Sequence, residues 1–337
     1  MKAMVLQAPQ QLIQQVVESP SLQPGSVLVR ISHSGVCGTD LKIYQGGIPV
    51  DYPRIMGHEM IGEVVEAGDA EGVAAGARVI VDPVVFCGRC RHCHIGQTHL
   101  CPSGYVLGRD RNGGFAEYIR VPADTVFPLP DTISGRTGPL IQVLTTCLHA
   151  QRRVGIFPGE AVVVMGLGVA GQLHVQLAKA RGAFPVIGIT RSPERRALAQ
   201  QLGADFTLAP DEDVHERVLE WTGGGADLVI ESTGVLPVLA QAIELARIGG
   251  RLLLFGIYTA QEATLPFYQL YYKELSIINA RAAKREDYPP CIDLVSRGVV
   301  RLEPMVSHVL PLQELEQAIT MLRERDATRM KVILDHA

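Results

Sequence analysis

Apolar residues change their spacing along the chain near residue 150. Before that point, short apolar segments are interrupted by Gly and Pro, a pattern typical of an irregular, mostly β domain. The predicted strands of this part are 26–32, 62–67, 78–81 and 116–121.

Between about residues 151 and 280, runs of aliphatic and β-branched residues alternate with helical patterns. Such runs are typical of strands that are buried on both faces of a parallel sheet. The predicted strands are 161–165, 186–189, 227–231, 251–255 and 275–279, and the predicted helices are 170–181, 193–202 and 236–246. This alternation predicts a doubly wound α/β domain with a parallel sheet.

The last part of the chain predicts a loop, two helices at about 290–297 and 313–323, and a strand at 331–334. Because this segment is too short to fold alone, we expect it to complete the first domain. The expected organisation is therefore one domain of residues 1–150 and 285–337, and a second domain of residues 151–284.

Composition narrows the class of protein. The 337 residues carry a net charge of -4, so there is no basic surplus for binding nucleic acid. No apolar segment has the length of a signal peptide or a membrane span, and we expect a cytoplasmic protein without a membrane partner. Four of the seven cysteines lie between positions 87 and 101, which suits metal binding in a reducing compartment. We expect Cys147 and Cys291 to be ordinary buried thiols.

A glycine motif follows the first buried strand of the α/β part. Gly166, Gly168 and Gly171 form G-x-G-x-x-G between a predicted strand and a predicted helix, which is the pattern of a dinucleotide-binding turn. Gly166 permits the tight turn, Gly168 lets a pyrophosphate approach the backbone, and Gly171 permits close helix packing. Further expected cofactor contacts are Val169, Thr233 and Gly256.

The end of the second α/β strand bears on the choice of cofactor. Thr190 stands where NAD-binding versions carry an acid, and Arg191 offers a planar cation for a 2′-phosphate. We therefore favour NADP(H) over NAD(H), with Arg195 as a possible second contact. The alternative is that Arg191 is a solvated residue at a helix start and that selectivity is weak.

Two groups of residues suit metal ions. Four thiols in one loop supply a closed tetrahedral zinc site with a structural role: Cys87, Cys90, Cys93 and Cys101. Upstream, a thiol, an imidazole and a carboxylate are credible ligands for an open zinc site: Cys37, His58 and Glu59.

With these motifs the chain resembles the zinc-containing medium-chain alcohol and polyol dehydrogenases, among them the sorbitol dehydrogenases. The resemblance covers nearly the whole chain and is carried by G-V-C-G-T-D (35–40), G-H-E (57–59), the four cysteines, G-G-F-A-E-Y (113–118) and the glycine turn. It implies a GroES-like catalytic domain, a Rossmann domain and a catalytic zinc on Cys37, His58 and Glu59. Asp40 matches the residue that orients the zinc-bound histidine.

The chain departs from this family at two positions. Gln142 occupies a zinc-site position that is Cys or Glu in many relatives, so it is a weak ligand, a substrate contact beside a mobile Glu59, or a sign that zinc is weak or absent. Lys42 replaces a histidine that passes the proton outward, which makes it a poorer relay, a surface residue or a phosphate contact. Thr39 matches the hydroxyl that contacts substrate, and Thr146 matches a neighbour of the nicotinamide.

The resemblance implies hydride transfer between NADP(H) and a secondary alcohol, polyol or sugar-derived alcohol or ketone, in a homodimer or homotetramer. The rival from another class is a catalytically inert nicotinamide-binding regulator or sensor on the same fold. A zinc-free quinone reductase is disfavoured because it has no use for either cysteine set. Tyr44 and Phe115 either line the substrate pocket or belong to the core.

Overall fold

A computed structural model describes residues 1–68, 72–211, 213–258, 262, 264–324 and 329–337. The strands, in chain order, are β1 (Lys2–Ala8), β2 (Gln11–Val16), β3 (Ser26–Val36), β4 (Arg54–Ile55), β5 (Glu59–Glu66), β6 (Arg78–Val81), β7 (Val84–Val85), β8 (Tyr105–Val106), β9 (Tyr118–Pro122), β10 (Val126–Pro128), β11 (Val162–Met165), β12 (Val186–Ile189), β13 (Phe206–Leu208), β14 (Ala226–Glu231), β15 (Ala246–Leu254), β16 (Ser276–Asn279), β17 (Val306–Pro311) and β18 (Lys331–Asp335). The α-helices are α1 (Gly38–Tyr44), α2 (Arg91–His94), α3 (Leu140–Val154), α4 (Val169–Ala180), α5 (Pro193–Gln201), α6 (Val214–Thr222), α7 (Leu236–Leu245), α8 (Phe267–Tyr272), α9 (Tyr288–Ser296) and α10 (Leu315–Glu324).

The described residues form two compact units. The first contains Met1–Val143, Lys284–Arg297 and Leu302–Ala337, and the second contains Leu144–Ala283 and Gly298–Arg301. None of the described helices combines the length and the apolar character needed to cross a membrane.

The first unit is built around β3, the longest strand. Its sheet has the order β10-β6-β5-β3-β18-β17, and β9 also pairs with β3. Alternate residues Val27, Val29 and Ile31 are buried in one apolar cluster, as a strand with one face on a core requires. The far end of β3 lies between β5 and β18, with Gly35 opposite Glu59 on one side and Ile333 on the other.

The second unit is the doubly wound domain that the sequence predicts. Its six strands are all parallel in the order β13-β12-β11-β14-β15-β16. Successive residues of β11 enter opposite cores, since Val162 and Val164 lie in one apolar cluster and Val163 and Met165 in the other. All four side chains are buried, which explains why the strand reads as an unbroken apolar run.

Several elements differ from the prediction. The stretch expected to be mostly β ends in a 15-residue helix, α3, in which Leu140, Leu144 and Leu148 are buried at helical spacing. β15 begins at Ala246 rather than 251, because Ala226 of β14 already pairs with Ala246. The next pair is Leu228 with Arg251, so the register shifts between these two pairs. The sequence patterns missed β13, α6 and β17: β13 has only three residues, and α6 buries only Val214 and Val218.

Candidate functional site

Cys37, His58 and Glu59 come together in the first unit. The thiol, one ring nitrogen and one carboxylate oxygen all lie within 4.8 Å of one another. Cys37 directly precedes α1, and Glu59 is the first residue of β5, so the turn before a helix and the start of a neighbouring strand place them. Three donors of this kind leave room for a fourth ligand, which is the arrangement of a catalytic zinc site.

Asp40 fixes two parts of this group. It is fully buried, and its Oδ2 accepts a hydrogen bond of 2.9 Å from the Cys37 backbone N–H. Its Oδ1 lies 3.4 Å from His58 Nδ1. Burial lowers the pKa of His58, but the charges and hydrogen bonds of Asp40 and Cys37 together outweigh it and raise that pKa well above its usual value. With Nδ1 held by Asp40, Nε2 is the ring atom left for a metal.

Glu59 has a buried cationic partner, Lys331. The Lys331 ammonium forms an ion pair with Glu59 Oε2, and both side chains are almost completely buried. Glu59 Oε1 accepts no hydrogen bond from the described residues. Gly35 lies between their strands, and a Cβ at that position would stand 2.2 Å from Glu59 Oε2 and 2.8 Å from Lys331 Cε. The glycine of G-V-C-G-T-D therefore provides the space that the ion pair fills.

The G-G-F-A-E-Y segment supports the turn before His58. Gly57 adopts a φ of 92°, and its carbonyl accepts a hydrogen bond of 2.9 Å from Gly114 N–H. A Cβ on Gly113 would stand 2.1 Å from the Gly57 oxygen, so both positions need glycine. Phe115 and Tyr44 are buried in an apolar cluster of this unit, so both are core residues rather than residues that line a substrate pocket.

Three other predicted site residues of the first unit lie on α1 and α3. Thr39 and Lys42 are half-buried residues of α1, directly after Cys37. Gln142 is buried in the first turn of α3.

The four cysteines of residues 87–101 form a second group. Their sulfur atoms lie within 4.8 Å of one another, with separations of 3.5 Å for Cys90–Cys93, 3.8 Å for Cys90–Cys101 and 4.0 Å for Cys87–Cys93. A zinc–sulfur distance of about 2.3 Å implies about 3.8 Å between the sulfurs of a regular tetrahedron. The spacing of the thiols therefore fits a closed zinc site.

The surroundings of these thiols give them different pKa values. The backbone N–H of Arg89 lowers the pKa of Cys87 to about 6, whereas burial raises the pKa of Cys93 to about 11. The other two thiols outside the clusters, Cys147 and Cys291, are buried as expected.

The glycine turn of the second unit has the shape that a pyrophosphate needs. Gly166 has a φ of 89°, and a Cβ there would stand 2.4 Å from Thr233 Cγ2. Gly168 is the N-cap of α4 with no side-chain cap, and the space where its Cβ would point is open. A Cβ on Gly171 would stand 1.9 Å from the Gly166 oxygen. Uncapped N–H groups and open space at a helix N-terminus suit a bound phosphate.

The loop after β12 presents Thr190 and Arg191. Arg196 donates hydrogen bonds of 2.8 and 3.0 Å to the carbonyls of these two residues, so its guanidinium shapes the loop. Arg191 is exposed, while Arg195 is half-buried and burial lowers its pKa. Gln172 of α4, which the sequence patterns did not single out, donates to the Arg195 carbonyl at 2.8 Å.

The remaining predicted cofactor contacts occupy separate elements of the second unit. Val169 begins α4, Thr146 lies on α3, and Thr233 and Gly256 follow β14 and β15. Lys331 and Glu231 were missed in the sequence. A buried charge in a short apolar strand was the available signal for Lys331, in K-V-I-L.

Comparisons with known proteins agree with this arrangement. The model of the alcohol dehydrogenase GroES-like domain matches residues 23–131, and that of the zinc-binding dehydrogenase matches residues 169–297. The chain is 32% identical to the sorbitol dehydrogenase of Halalkalibacterium halodurans over 326 residues, which cover 95% of this chain and 94% of the relative.

Two solved structures contain a nicotinamide cofactor. A zinc-binding dehydrogenase of Sinorhizobium meliloti 1021, bound to NADP, is 33% identical with a TM-score of 0.92, covering 99% of this chain and 98% of that chain. The RspB alcohol dehydrogenase of Escherichia coli CFT073, complexed with NADH, is 30% identical with a TM-score of 0.90, covering 99% of both chains. The two neighbours differ in the cofactor that each contains.

Replacing Gly35 with alanine should displace the Glu59 carboxylate from Lys331, since the new methyl group has no room beside it. We expect the free energy of unfolding to fall by about 1–3 kcal/mol, the usual cost of overpacking. Gly38→Ala is the matched control, because a Cβ at Gly38 meets no atom within 4 Å. Urea unfolding measures both variants, and equal midpoints would show that the close approach at Gly35 has no energetic weight.

Proposed function

Because the chain belongs to the zinc-type medium-chain alcohol and polyol dehydrogenases, a family of oxidoreductases, we propose that it transfers a hydride between NADP(H) and a secondary alcohol, polyol or sugar-derived alcohol or ketone. The observation that carries the proposal is the convergence of Cys37, His58 and Glu59. Three protein donors are the number that a catalytic zinc takes when its fourth position serves the substrate oxygen. The uncapped glycine turn of the second unit supports a dinucleotide.

We assign two zinc ions to each chain. Cys37, His58 and Glu59 would hold the catalytic ion, and the four cysteines of residues 87–101 would hold the structural one. When bound, the catalytic zinc supplies a Lewis acid for the substrate oxygen and the nicotinamide supplies the hydride acceptor or donor. Four thiolates leave the second ion without an open position, so its role is to stiffen the loop.

The protein's own residues orient the metal ligands and move the proton. Asp40 keeps the His58 ring in one orientation through Nδ1. Lys331 compensates the negative charge of Glu59 at Oε2. Oε1, which accepts no hydrogen bond from the described residues, remains for the metal. Thr39 provides a hydroxyl for proton exchange with the substrate oxygen, and Lys42, one turn further along α1, passes the proton outward.

Gln142 fits a metal less well than the other candidate ligands, because a neutral amide is a weaker zinc donor than a thiolate or carboxylate. We propose that it contacts the substrate, and that the three other donors bind the ion. A neutral residue at this position leaves the ion more positive, which favours an ionised substrate oxygen.

A substrate panel tests the proposal. The protein should change absorbance at the nicotinamide band with at least one secondary alcohol or polyol, and Cys37→Ser should abolish turnover and remove about one zinc of the two expected. Cys291→Ala, a buried thiol outside both clusters, is the control and should keep both the activity and the metal. A zinc-replete protein that turns over no member of the panel, or a fully active Cys37→Ser variant, would contradict the assignment.

The loop after β12 favours NADP(H), since it lacks a carboxylate that would repel a 2′-phosphate and exposes Arg191 beside that position. Arg191→Ala should raise the KM for NADP about 10-fold or more and leave the KM for NAD nearly unchanged, because only the phosphate contact is lost. Thr190→Asp should reverse the preference. Arg217→Ala, a surface arginine paired with Glu220, serves as control. Equal kinetics with both cofactors in the unmodified protein would refute the preference and leave the enzyme assignment intact.

We propose that the protein is a homodimer or homotetramer. Among the described residues the edge strand β16 pairs with β15 alone, and four aromatic side chains of α8 are exposed: Phe267, Tyr268, Tyr271 and Tyr272. A second copy of the chain would cover these rings. Light scattering should give a mass of at least two chains, and Tyr271→Glu should reduce it, while Phe157→Glu, at an exposed aromatic outside α8, should not. A monomeric unmodified protein would disprove the proposal.

A further inference from the structure

The loops that follow β14 and β15 meet at one buried carboxylate, Glu231. Its Oε1 accepts hydrogen bonds from the Thr233 backbone N–H, at 2.7 Å, and from the Thr233 hydroxyl. Its Oε2 accepts from the Gly234 N–H, at 3.0 Å, and from the Tyr258 hydroxyl. The Glu231 backbone carbonyl also accepts from Phe255 N–H and Gly256 N–H, at 2.9 and 3.0 Å. One residue therefore fastens both loops.

The Glu231 carboxylate is held by neutral donors. Its side chain is fully buried, and within the described residues it forms no ion pair. An ionised carboxylate only accepts hydrogen bonds, so four converging donors satisfy it and fix its orientation. Burial and the adjacent carboxylate raise the pKa of Tyr258, which keeps its hydroxyl protonated as a donor.

The same loops are packed against the glycine turn. The Ser232 hydroxyl donates to the carbonyls of Met165 and Gly166, at 3.0 and 2.7 Å. A Cβ on Gly256 would stand 2.1 Å from Gly234 N and 2.8 Å from Glu231 Oε2. The turn after β11, the loop after β14 and the loop after β15 are therefore in direct contact, and a side chain at position 256 would not fit between them.

The order of strands decides which half of a dinucleotide these loops face. In a doubly wound sheet the pyrophosphate lies at the turn after the first strand and the adenosine ribose lies at the end of the second strand. Here these are β11 and β12, so the nicotinamide half falls on the other side, over β14 and β15. Glu231 is the residue of β14 that faces Met165 of β11 in register.

We propose that Glu231 is a positioning residue for the nicotinamide ring of the cofactor, acting through Thr233, Gly234 and Tyr258. The inference rests on the proposed function, since it requires a bound dinucleotide. In a Glu231→Gln variant, an amide NH₂ replaces an acceptor oxygen and faces the donors of one loop. The loops then lose their fixed arrangement. Binding of the cofactor must order them, and this lowers the affinity.

The test compares two ligands that differ only in the nicotinamide. NADPH and ADP-ribose 2′-phosphate are titrated calorimetrically into the zinc-loaded full chain. Glu231→Gln should weaken NADPH about 10- to 100-fold, as expected for the loss of one or two charged hydrogen bonds, and should change ADP-ribose 2′-phosphate by less than about twofold. Tyr258→Phe, which removes one of the four donors, should weaken NADPH about 3- to 10-fold with the same selectivity.

Glu160→Gln is the matched control. Glu160 is a carboxylate of the same unit that binds Arg251 and the Phe157 N–H, and its loss should leave both affinities unchanged. Unchanged NADPH affinity in Glu231→Gln and Tyr258→Phe would overturn the inference, as would an equal loss for both ligands, which marks a merely structural role. If Glu231→Gln does not fold, Tyr258→Phe decides alone. An unmodified protein that binds no dinucleotide would overturn the proposed function and this inference together.

Discussion

The buried ion pair between Glu59 and Lys331 is the interaction on which the part of the first unit around Cys37, His58 and Glu59 depends. A carboxylate without solvent would be protonated or displaced if neither an opposite charge nor enough hydrogen-bond donors compensated it. The compensation requires β18 to lie beside β3, β3 beside β5, and a residue without a side chain at position 35 between them. A register shift of one residue would send each of these side chains to the opposite face of the sheet, so the pair also specifies the alignment of the three strands.

The second unit also contains a buried carboxylate, Glu231, but no cation compensates it within the described residues. Glu231 is as completely buried as Glu59, but backbone N–H groups and hydroxyls satisfy it. An ion pair joins two strands at one point, whereas a carboxylate with several neutral partners joins loops that would otherwise move independently. The ion pair thus places a compensating charge beside the group of Cys37, His58 and Glu59, and the neutral donors tie together the loops after β14 and β15.

Features that depend on neighbouring residues were predictable from the sequence, and those that depend on distant ones were not. The four-cysteine loop and the glycine turn are each local, so their spacing indicated them, whereas Cys37, His58 and Glu59 gained weight only from the resemblance to a known family. The comparisons confirm the GroES-like and doubly wound fold. Lys331 reaches Glu59 only through a strand pairing that no local pattern specifies, and β13 is too short, at three residues, to produce a recognisable period. Glu231 looked like the end of a strand, because its partners lie in loops.

The pairing of β18 with β3 has a consequence for biosynthesis. Cys37, His58 and Glu59 leave the ribosome early, whereas the strand that carries Lys331 is translated long after them. During that interval Glu59 lacks its cation, and the nascent first unit has an open sheet edge where β18 will insert. The four-cysteine loop, in contrast, holds its four thiols within one short segment that leaves the ribosome long before β18. The four-thiol group is therefore complete in the nascent chain well before the ion pair between Glu59 and Lys331 can form.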